Sequence, residues 1–253
     1  MPRPLALVTG ASQGIGAAIA RELSRRGYDL ILTARDTARL ELVARDIKEA
    51  RVIAADLSQP GSVNSLLREI GKPLDVLINN AGAGYSVPFA ESDPARQSAL
   101  LQLNIAAVTE LTRAVLPAML SKRQGRILFV ASLAAFLPGP GAATYHASKA
   151  YVRSFGEALS YELHGTGVTS TVVCPGPTAT GYWDGADATN TRVGRGGLMT
   201  AEAVAAISCN AMLKGKRLVV AGASNKLSSI AVSFLPRPMV LAMSAKLNTA
   251  ADS

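Results

Sequence analysis

Short runs of apolar residues alternate along the chain with longer segments in which apolar residues recur every three to four positions. The short runs predict β-strands, and because most of them are apolar throughout, both faces of their sheet must be covered. The longer segments predict amphipathic helices. Alternation of strands and helices is typical of βαβ units, which build a parallel sheet. We therefore predict an α/β fold with a doubly wound parallel sheet in three layers, α/β/α.

Seven strands and six helices follow from this pattern. The predicted strands are Leu5 to Thr9, Asp29 to Thr33, Arg51 to Ala55, Val76 to Asn79, Arg126 to Val130, Val168 to Cys174 and Arg217 to Val220. The predicted helices are Gly14 to Arg26, Thr37 to Lys48, Ser62 to Ile70, Pro94 to Ser121, Tyr145 to His164 and Ala201 to Lys214. No linker or charge block divides the series, so residues 1–223 are predicted to form a single domain.

One segment inside this domain departs from the alternation. Residues 178–200 are rich in Gly, Thr, Asp and Asn and contain Trp183. A connection of this length is unusual within a compact domain, where long loops are often lids or binding loops. The segment is therefore predicted to be a lid over a substrate site.

The end of the chain, residues 224–253, is predicted to be an extension of two short amphipathic helices around the Pro-Arg-Pro sequence at 236–238. Two interpretations stay open. The helices cover the core or a second subunit, which the pattern favours because such helices usually pack. Alternatively they lie on a membrane surface, with Lys226, Arg237 and Lys246 towards anionic headgroups.

The composition narrows the class of protein. The chain has 253 residues, of which 49% are hydrophobic and 17% charged, so it can bury a core and is not a disordered chain. The net charge of +8 suggests nucleic acid, an anionic membrane surface or acidic molecules as partners. Nucleic acid is disfavoured because only 5% of residues are aromatic and no basic run is interleaved with aromatic residues.

The apolar segments and the cysteines point to a reducing compartment. Leu5 to Val8 is too short for a signal peptide, and prolines interrupt the apolar stretch from Ile230 to Leu247, so we expect a cytoplasmic protein without a membrane span. Cys174 and Cys209 belong to no CxxC or Cys/His cluster. We therefore expect two buried free thiols, no disulfide and no metal site.

A glycine-rich turn follows the first predicted strand and opens the first helix. It reads Thr-Gly-Ala-Ser-Gln-Gly-Ile-Gly at 9–16. Glycines let a ligand approach the backbone, and the free N–H groups at a helix start favour a pyrophosphate. A turn of this kind, in this position, predicts a dinucleotide site.

Further motifs follow on the next elements. Asn79-Asn80-Ala81-Gly82 closes the fourth strand, Asn104 lies in the following helix and Ser132 follows the fifth strand. Tyr145-His146-Ala147-Ser148-Lys149 begins the next helix, and Pro175-Gly176-Pro177-Thr178 follows the sixth strand. In spacing and order these motifs resemble those of the short-chain dehydrogenase/reductase family, over the part of the chain from Thr9 to Thr180.

The resemblance implies a Rossmann-type fold, a nicotinamide dinucleotide and hydride transfer to or from a carbonyl or secondary alcohol. Asp56, with Leu57 beside it, resembles the family aspartate that binds the adenine amino group. The implied cofactor contacts are Gly10, Ser12, Gln13, Gly14, Ile15, Gly16, Arg35, Asp56, Leu57, Asn80, Ala81, Gly82, Tyr145, Lys149, Pro175, Gly176 and Thr178.

Tyr145 and Lys149 are four residues apart, so on a helix both side chains fall on one face. A tyrosine of ordinary pKa is a poor base at neutral pH, and a neighbouring ammonium favours the phenolate. The resemblance implies that Tyr145 is the general acid in reduction and the base in oxidation, and that Lys149 also holds the nicotinamide ribose. It further implies that Ser132 hydrogen-bonds the substrate oxygen and that Asn104 holds a water connecting Lys149 to solvent.

The choice between NAD and NADP depends on the end of the second strand. An acidic residue there binds the ribose 2′-hydroxyl of NAD, whereas an arginine accommodates the 2′-phosphate of NADP. Aligned with the family pattern, Ala34 takes the place of the acid and Arg35 follows it, so we expect NADP(H), with Arg39 as a helper. Ser and Gln at 12–13 stand where many NADP-binding relatives have a basic residue, and Asp36 is nearby, so NAD(H) stays the alternative.

The substrate is expected to touch Ser132 and Tyr145, and also Tyr182 and Trp183 in the predicted lid. Residues that follow Ser132 and those around Tyr85 are mostly apolar, which favours a hydrophobic ketone, aldehyde or alcohol. The basic surface leaves a second hypothesis, a 3-oxoacyl reductase that acts on an acyl-CoA or recruits an acidic acyl carrier protein.

Two further expectations concern assembly and class. We expect a homodimer or homotetramer. A non-catalytic scaffold or regulator that only binds the cofactor is the alternative of another class, and the presence of Ser132, Tyr145 and Lys149 argues against it.

Overall fold

The computed structural model describes residues 3–180 and 198–248. Seven parallel strands form one sheet in the order β3-β2-β1-β4-β5-β6-β7. The strands are β1 Leu5–Thr9, β2 Asp29–Ala34, β3 Ala50–Ala54, β4 Val76–Asn79, β5 Gly125–Val130, β6 Val168–Cys174 and β7 Leu218–Val220. The strand order changes direction between β1 and β4, which opens a crevice at the carboxyl ends of these strands.

Helices cover both faces of the sheet. They are α1 Gly14–Arg25, α2 Thr37–Arg45, α3 Ser62–Ile70, α4 Pro94–Leu101, α5 Ala107–Ser121, α6 Ala143–Glu162, α7 Ala201–Leu213, α8 Ala223–Val232 and α9 Arg237–Asn248. Short 3₁₀ turns occupy Phe89–Glu91 and Leu133–Phe136. The predicted three-layer α/β fold is confirmed.

The core divides into two layers because successive strand residues point to opposite faces. Leu7 and Leu77 pack with α3, α5 and α6, whereas Val8 and Ile78 pack with α1, α2 and α7. Both layers are mainly apolar, with a few buried polar side chains such as Thr112 and Ser208. The uninterrupted apolar strands of the sequence therefore reflect a sheet that is buried on both sides.

Most predicted boundaries are correct within two residues, and one helix differs in kind. The helix predicted from Pro94 to Ser121 is interrupted by a π-helical turn, Gln102–Ala106, between α4 and α5. The third strand lies one residue earlier than predicted, and α6 begins at Ala143 instead of Tyr145. A π turn inserts one residue without breaking the apolar pattern of the helix, so the pattern alone does not reveal it.

One helical stretch, 94–122, is long and apolar enough to cross a membrane by length and composition alone. Within it, α5 buries Leu111, Val115 and Met119 in the core layer on one face of the sheet. This is the packing of a core helix. Both cysteines are fully buried free thiols, as expected.

Gly156 brings α6 close to the sheet. A Cβ atom on this residue would lie 2.5 Å from Val172 Cγ2 and 2.9 Å from Phe129 Cδ2, both in the core. We expect Gly156→Ala to lower the free energy of unfolding by about 1–3 kcal/mol, because overpacking outweighs the gain of roughly 1 kcal/mol in helix propensity. Chemical denaturation measures the change.

The matched control is Ser154→Ala, which places the same residue on the exposed side of the same helix. It should change the free energy of unfolding by no more than about 0.5 kcal/mol. Equal effects of the two substitutions would contradict the close approach of α6 at Gly156.

Candidate active site

The glycine-rich turn has the backbone geometry that its sequence predicts. Gly10 and Gly14 have φ angles of +64° and +56°, which residues with side chains rarely adopt. A Cβ atom on Gly16 would lie 2.2 Å from the carbonyl oxygen of Gly10. The N-cap residue of α1, Gln13, does not cap the helix with its side chain, so the first N–H groups of α1 can bind an anion.

Thr9 and Asn80 join the carboxyl ends of β1 and β4 at this crevice. The Thr9 hydroxyl donates to the Ile78 carbonyl (3.0 Å) and accepts from the backbone N–H groups of Asn80 and Ala81 (3.0 Å each). The Asn80 amide group donates to the carbonyl oxygens of Thr9 and Gly10 at 2.9 and 3.1 Å. These bonds fix the turn against the segment 80–82.

Lys149 is buried, with 7% of the residue exposed, and its ammonium donates to the Val130 carbonyl at 3.0 Å. A Cβ atom on Gly82 would lie 3.2 Å from the Lys149 Nζ, so glycine at this position leaves space beside the ammonium. Desolvation lowers the pKa of Lys149 from 10.5 to about 8. The ammonium therefore faces a cavity in which a polar ligand would stabilise its charge.

Asn104 lies on the π turn and is 1% exposed. Its amide group donates to the Ala83 carbonyl and to the Ser148 hydroxyl, and its carbonyl accepts from the Ala83 N–H, each at 2.9 Å. Ser148 in turn donates to the Tyr145 carbonyl at 2.7 Å. Asn104 thus ties the segment after β4 to the start of α6, and the water relay expected from the family stays a prediction.

Ser132 and Tyr145 face the same cavity as Lys149. Ser132 follows β5 and caps a 3₁₀ turn, where its hydroxyl oxygen accepts from the Ala134 N–H at 3.1 Å. That bond uses the oxygen and leaves the hydroxyl proton for another acceptor. Tyr145 is half-buried on the first turns of α6.

The end of β2 carries the residues that would distinguish NADP from NAD. Arg35 is exposed at the cavity wall. Arg39, by contrast, donates to the Gln13 side chain at 2.6 Å and forms an ion pair with Asp36 at 3.2 Å. Asp36 also accepts from the Arg39 N–H as the cap of α2, so its carboxylate is directed to this helix.

Asp56 lies beyond β3, on the same wall. The Ser58 hydroxyl and N–H donate to its carboxylate at 2.6 and 3.0 Å. The pKa of Asp56 is lowered, chiefly by the Ser58 hydroxyl and in smaller part by the charge of Arg35. Asp56 is therefore an anionic acceptor, as binding of an amino group requires.

The predicted site residues meet in one cavity of about 770 Å³. Its lining includes every predicted cofactor contact together with Ser132, and Asn104 lies directly behind it. The Pro175-Gly176-Pro177-Thr178 segment closes one side, where the Leu133 N–H donates to the Pro175 carbonyl at 2.7 Å. Tyr182, Trp183 and most of the predicted lid lie outside the described residues.

The wall near Ser132 is largely apolar, as expected. Tyr85, Leu133, Ala134 and Leu137 line it. Phe136, which the sequence also suggested, does not; the Arg153 guanidinium lies over its ring at 4.3 Å instead. A hydrophobic substrate remains the better match to this wall.

The extension supplies cavity residues that sequence reasoning missed. These are Asn225 on α8 and Ser244, Leu247 and Asn248 on α9. Asn248 donates to the Pro140 carbonyl at 3.1 Å and lies 3.4 Å from His146 Nε2. No motif in the sequence marks these residues.

A family model described as short chain dehydrogenase matches residues 4–191. The chain belongs to the short-chain dehydrogenase family. It is therefore an oxidoreductase of a family that acts on alcohol and carbonyl groups, and it has the Rossmann-type fold of that family.

Two curated relatives show how the similarity is distributed. The chain is 33% identical over 176 residues to the 3-oxoacyl-[acyl-carrier-protein] reductase FabG of Escherichia coli, covering 68% of this chain and 72% of FabG. It is 37% identical over 175 residues to a very-long-chain 3-oxoacyl-CoA reductase of Phaeosphaeria nodorum, covering 64% of this chain. It spans about half (51%) of the length of that second relative.

Solved structures extend the similarity to most of the chain. A short-chain dehydrogenase from Sphingobium yanoikuyae in complex with NADPH has a TM-score of 0.81 and 28% identity, covering 98% of this chain and 99% of the other. One from Burkholderia phymatum in complex with NAD has a TM-score of 0.81 and 25% identity, covering 90% and 92%. These complexes support a nicotinamide dinucleotide as the cofactor.

The burial of Lys149 predicts that replacing it by an uncharged residue raises the free energy of unfolding and abolishes activity. In Lys149→Met, a residue of similar size carries no charge to desolvate, so the ligand-free protein should be more stable by about 3 kcal/mol at pH 7. Activity should fall to background. Denaturation followed over a pH series measures the difference from the wild type.

The difference has a defined pH dependence. Because the pKa of Lys149 is lower in the folded protein (about 8) than its ordinary value (10.5), the unfolded chain binds more protons between these values. Wild-type stability should therefore rise relative to Lys149→Met from pH 8 to above pH 10, where the advantage of the variant disappears. A difference that does not vary with pH would contradict a desolvated ammonium.

Proposed function

We propose that the protein is an NADP(H)-dependent oxidoreductase that interconverts a hydrophobic ketone or aldehyde and its alcohol, with Tyr145 as the general acid and base. The observation that carries the proposal is the meeting of Ser132, Tyr145 and Lys149 in the cavity that the glycine-rich turn opens onto. The cavity fits a dinucleotide, because the start of α1 lies on its wall and Gly82, where a Cβ atom would lie 3.2 Å from Lys149 Nζ, leaves space beside the ammonium. A bound nicotinamide supplies or accepts the hydride.

Each of the three side chains has a distinct task. The Ser132 hydroxyl, whose oxygen is held by the Ala134 N–H, donates to the carbonyl oxygen of the substrate and stabilises the negative charge that develops there. Tyr145 gives its phenolic proton to that oxygen in reduction and takes it back in oxidation. The Lys149 ammonium, four residues further on α6, favours the phenolate by its positive charge.

The positions of the basic residues support NADP(H). Arg35 is exposed at the cavity wall beside Asp56, whereas Asp36, the acid that could favour NAD, caps α2 and pairs with Arg39. An exposed guanidinium matches a 2′-phosphate in charge and in hydrogen-bond geometry. The similarity to an NADPH complex is consistent with this preference, and the similarity to an NAD complex keeps NAD(H) as the alternative.

A second candidate is reduction of a 3-oxoacyl thioester. The similarity to FabG favours it, and the net charge of +8 suits an acidic carrier protein or coenzyme A. Comparison of kcat/KM for 3-oxoacyl thioesters with that for simple hydrophobic ketones separates the two candidates. The homodimer or homotetramer and the cytoplasmic location stay predictions.

The catalytic proposal is tested by Tyr145→Phe, which removes only the ionisable hydroxyl. We expect kcat to fall about a thousandfold, within the usual range for loss of a general acid or base. Binding of NADPH, followed by its fluorescence, should change little. Tyr161→Phe is the matched control, since Tyr161 lies on the same helix and is 85% exposed. Retention of kcat in Tyr145→Phe would contradict Tyr145 as the general acid and base. Loss of activity with cellular function intact would instead favour the non-catalytic scaffold.

The cofactor proposal is tested by Arg35→Ala. Loss of a charge-assisted contact with the 2′-phosphate should raise the KM for NADPH by about tenfold to a hundredfold and leave the KM for NADH unchanged. Arg45→Ala removes an exposed arginine at the other end of α2 and serves as the control. The proposal is wrong if the kcat/KM of the wild-type enzyme with NADH equals or exceeds that with NADPH. It is also wrong if Arg35→Ala leaves the affinity for NADPH unchanged.

A further inference from the structure

The two helices of the extension bury polar side chains and expose large apolar ones. On α8, the buried side carries Asn225, which lines the cavity, and Ser229, which is 5% exposed. The opposite side carries Leu227 and Ile230, which are 70% and 49% exposed. Phe234, just beyond the helix, is 82% exposed. A helix that only covers a core buries its apolar residues instead.

The second helix follows this arrangement in part. Its buried residues are the polar Ser244, which lines the cavity with Asn248, and the apolar Val240. Leu247 also lines the cavity, but the apolar residues Met239, Leu241 and Met243 are 57%, 42% and 38% exposed. Each helix therefore turns polar side chains to the cavity and leaves several large apolar side chains outside.

We define the docking face as Leu227 and Ile230 on α8, Phe234 after that helix, and Met239 and Met243, which lie four residues apart on α9. Single exposed apolar residues are ordinary, but five within one short segment mark a surface that binds another apolar surface. The basic residues Lys226, Arg237 and Lys246 lie in the same segment and are exposed.

The sequence segment that carries this face has charges of one sign. Residues 203–251 contain no Asp or Glu, and their charged residues are Lys214, Lys216, Arg217, Lys226, Arg237 and Lys246. The rest of the chain is mixed in charge. An apolar face within a purely basic segment is complementary to a lipid surface, which has anionic headgroups outside and apolar acyl chains inside.

Other occupants satisfy only part of this pattern. A second copy of the chain would bring a second segment that is purely basic to the interface, which is unfavourable. An acidic protein would match Lys226 and Arg237 but would offer a polar surface to Leu227 and Phe234. Phospholipid matches both the charges and the apolar side chains.

We propose that the docking face binds the surface of an anionic phospholipid membrane, with the apolar side chains of α8 and α9 at the boundary of headgroups and acyl chains. The attachment is peripheral, because each helix is far shorter than a membrane span. It does not depend on the cofactor or on turnover, so it can be tested separately from the proposed function.

The test is flotation of the purified full-length protein with two kinds of vesicle. One contains equal parts of phosphatidylglycerol and phosphatidylcholine, and the other contains phosphatidylcholine alone. We expect flotation with the anionic vesicles, at least fivefold less with the neutral ones, and a decrease at high salt.

Two variants and their matched controls assign the binding to the docking face. Leu227→Ser with Phe234→Ser should lower vesicle binding at least tenfold, whereas Leu42→Ser with Tyr161→Ser, which are similarly exposed at 57% and 85%, should not. Lys226→Glu with Arg237→Glu should lower binding to anionic vesicles at least fivefold, and Lys48→Glu with Lys72→Glu should have little effect. All of these positions are exposed, so the variants should fold normally.

Three results would overturn the proposal. The first is an absence of flotation with the anionic vesicles. The second is flotation that the Leu227→Ser and Phe234→Ser variant retains. The third is a wild-type protein that does not float and is a dimer by light scattering, together with a Leu227→Ser and Phe234→Ser variant that is a monomer. The occupant of the face would then be a second copy of the chain.

Discussion

The site depends on one hydroxyl group between two parallel strands. Thr9 donates to the Ile78 carbonyl and accepts from two backbone N–H groups after β4, and so bridges the point where the strand order reverses. Parallel strands that diverge here leave backbone groups without ladder partners, and a buried unpaired N–H is costly. With Asn80 bonded back to Gly10, the same contacts set the shape of the phosphate turn. Fold and cofactor cradle therefore share one set of hydrogen bonds.

A second constraint is the buried cation. Lys149 lies between the Val130 carbonyl and the space beside Gly82, and its lowered pKa shows that the ligand-free cavity stabilises the charge poorly. Asn104 on the π turn, through its bonds to Ala83 and Ser148, fixes the two sides of this space relative to each other. The fold thus maintains a charged group in an unfavourable environment, an arrangement common at functional sites.

The local apolar pattern and the order of the motifs predicted most of the fold and most of the site residues. The bounds of β1, β4 and β6 follow from apolar runs, and the glycine turn follows from backbone geometry that few other residues adopt. The π turn was not predictable, because the apolar period continues through Asn104. Nor was the contact of Asn248 with Pro140, since it joins residues far apart in sequence and has no local signal.

The extension shows why a polar pattern must be interpreted together with its surroundings. The sequence of 224–248 predicts amphipathic helices but not which face is buried. Because α8 and α9 border the cavity, Asn225, Ser244 and Asn248 face inward beside Leu247, whereas Leu227 and Met239 are left outside. Asn248 also contacts His146, the neighbour of Tyr145 on α6. The position of α9 is therefore coupled to the wall beside Tyr145, so whatever covers its outer face also bears on the shape of the substrate cavity.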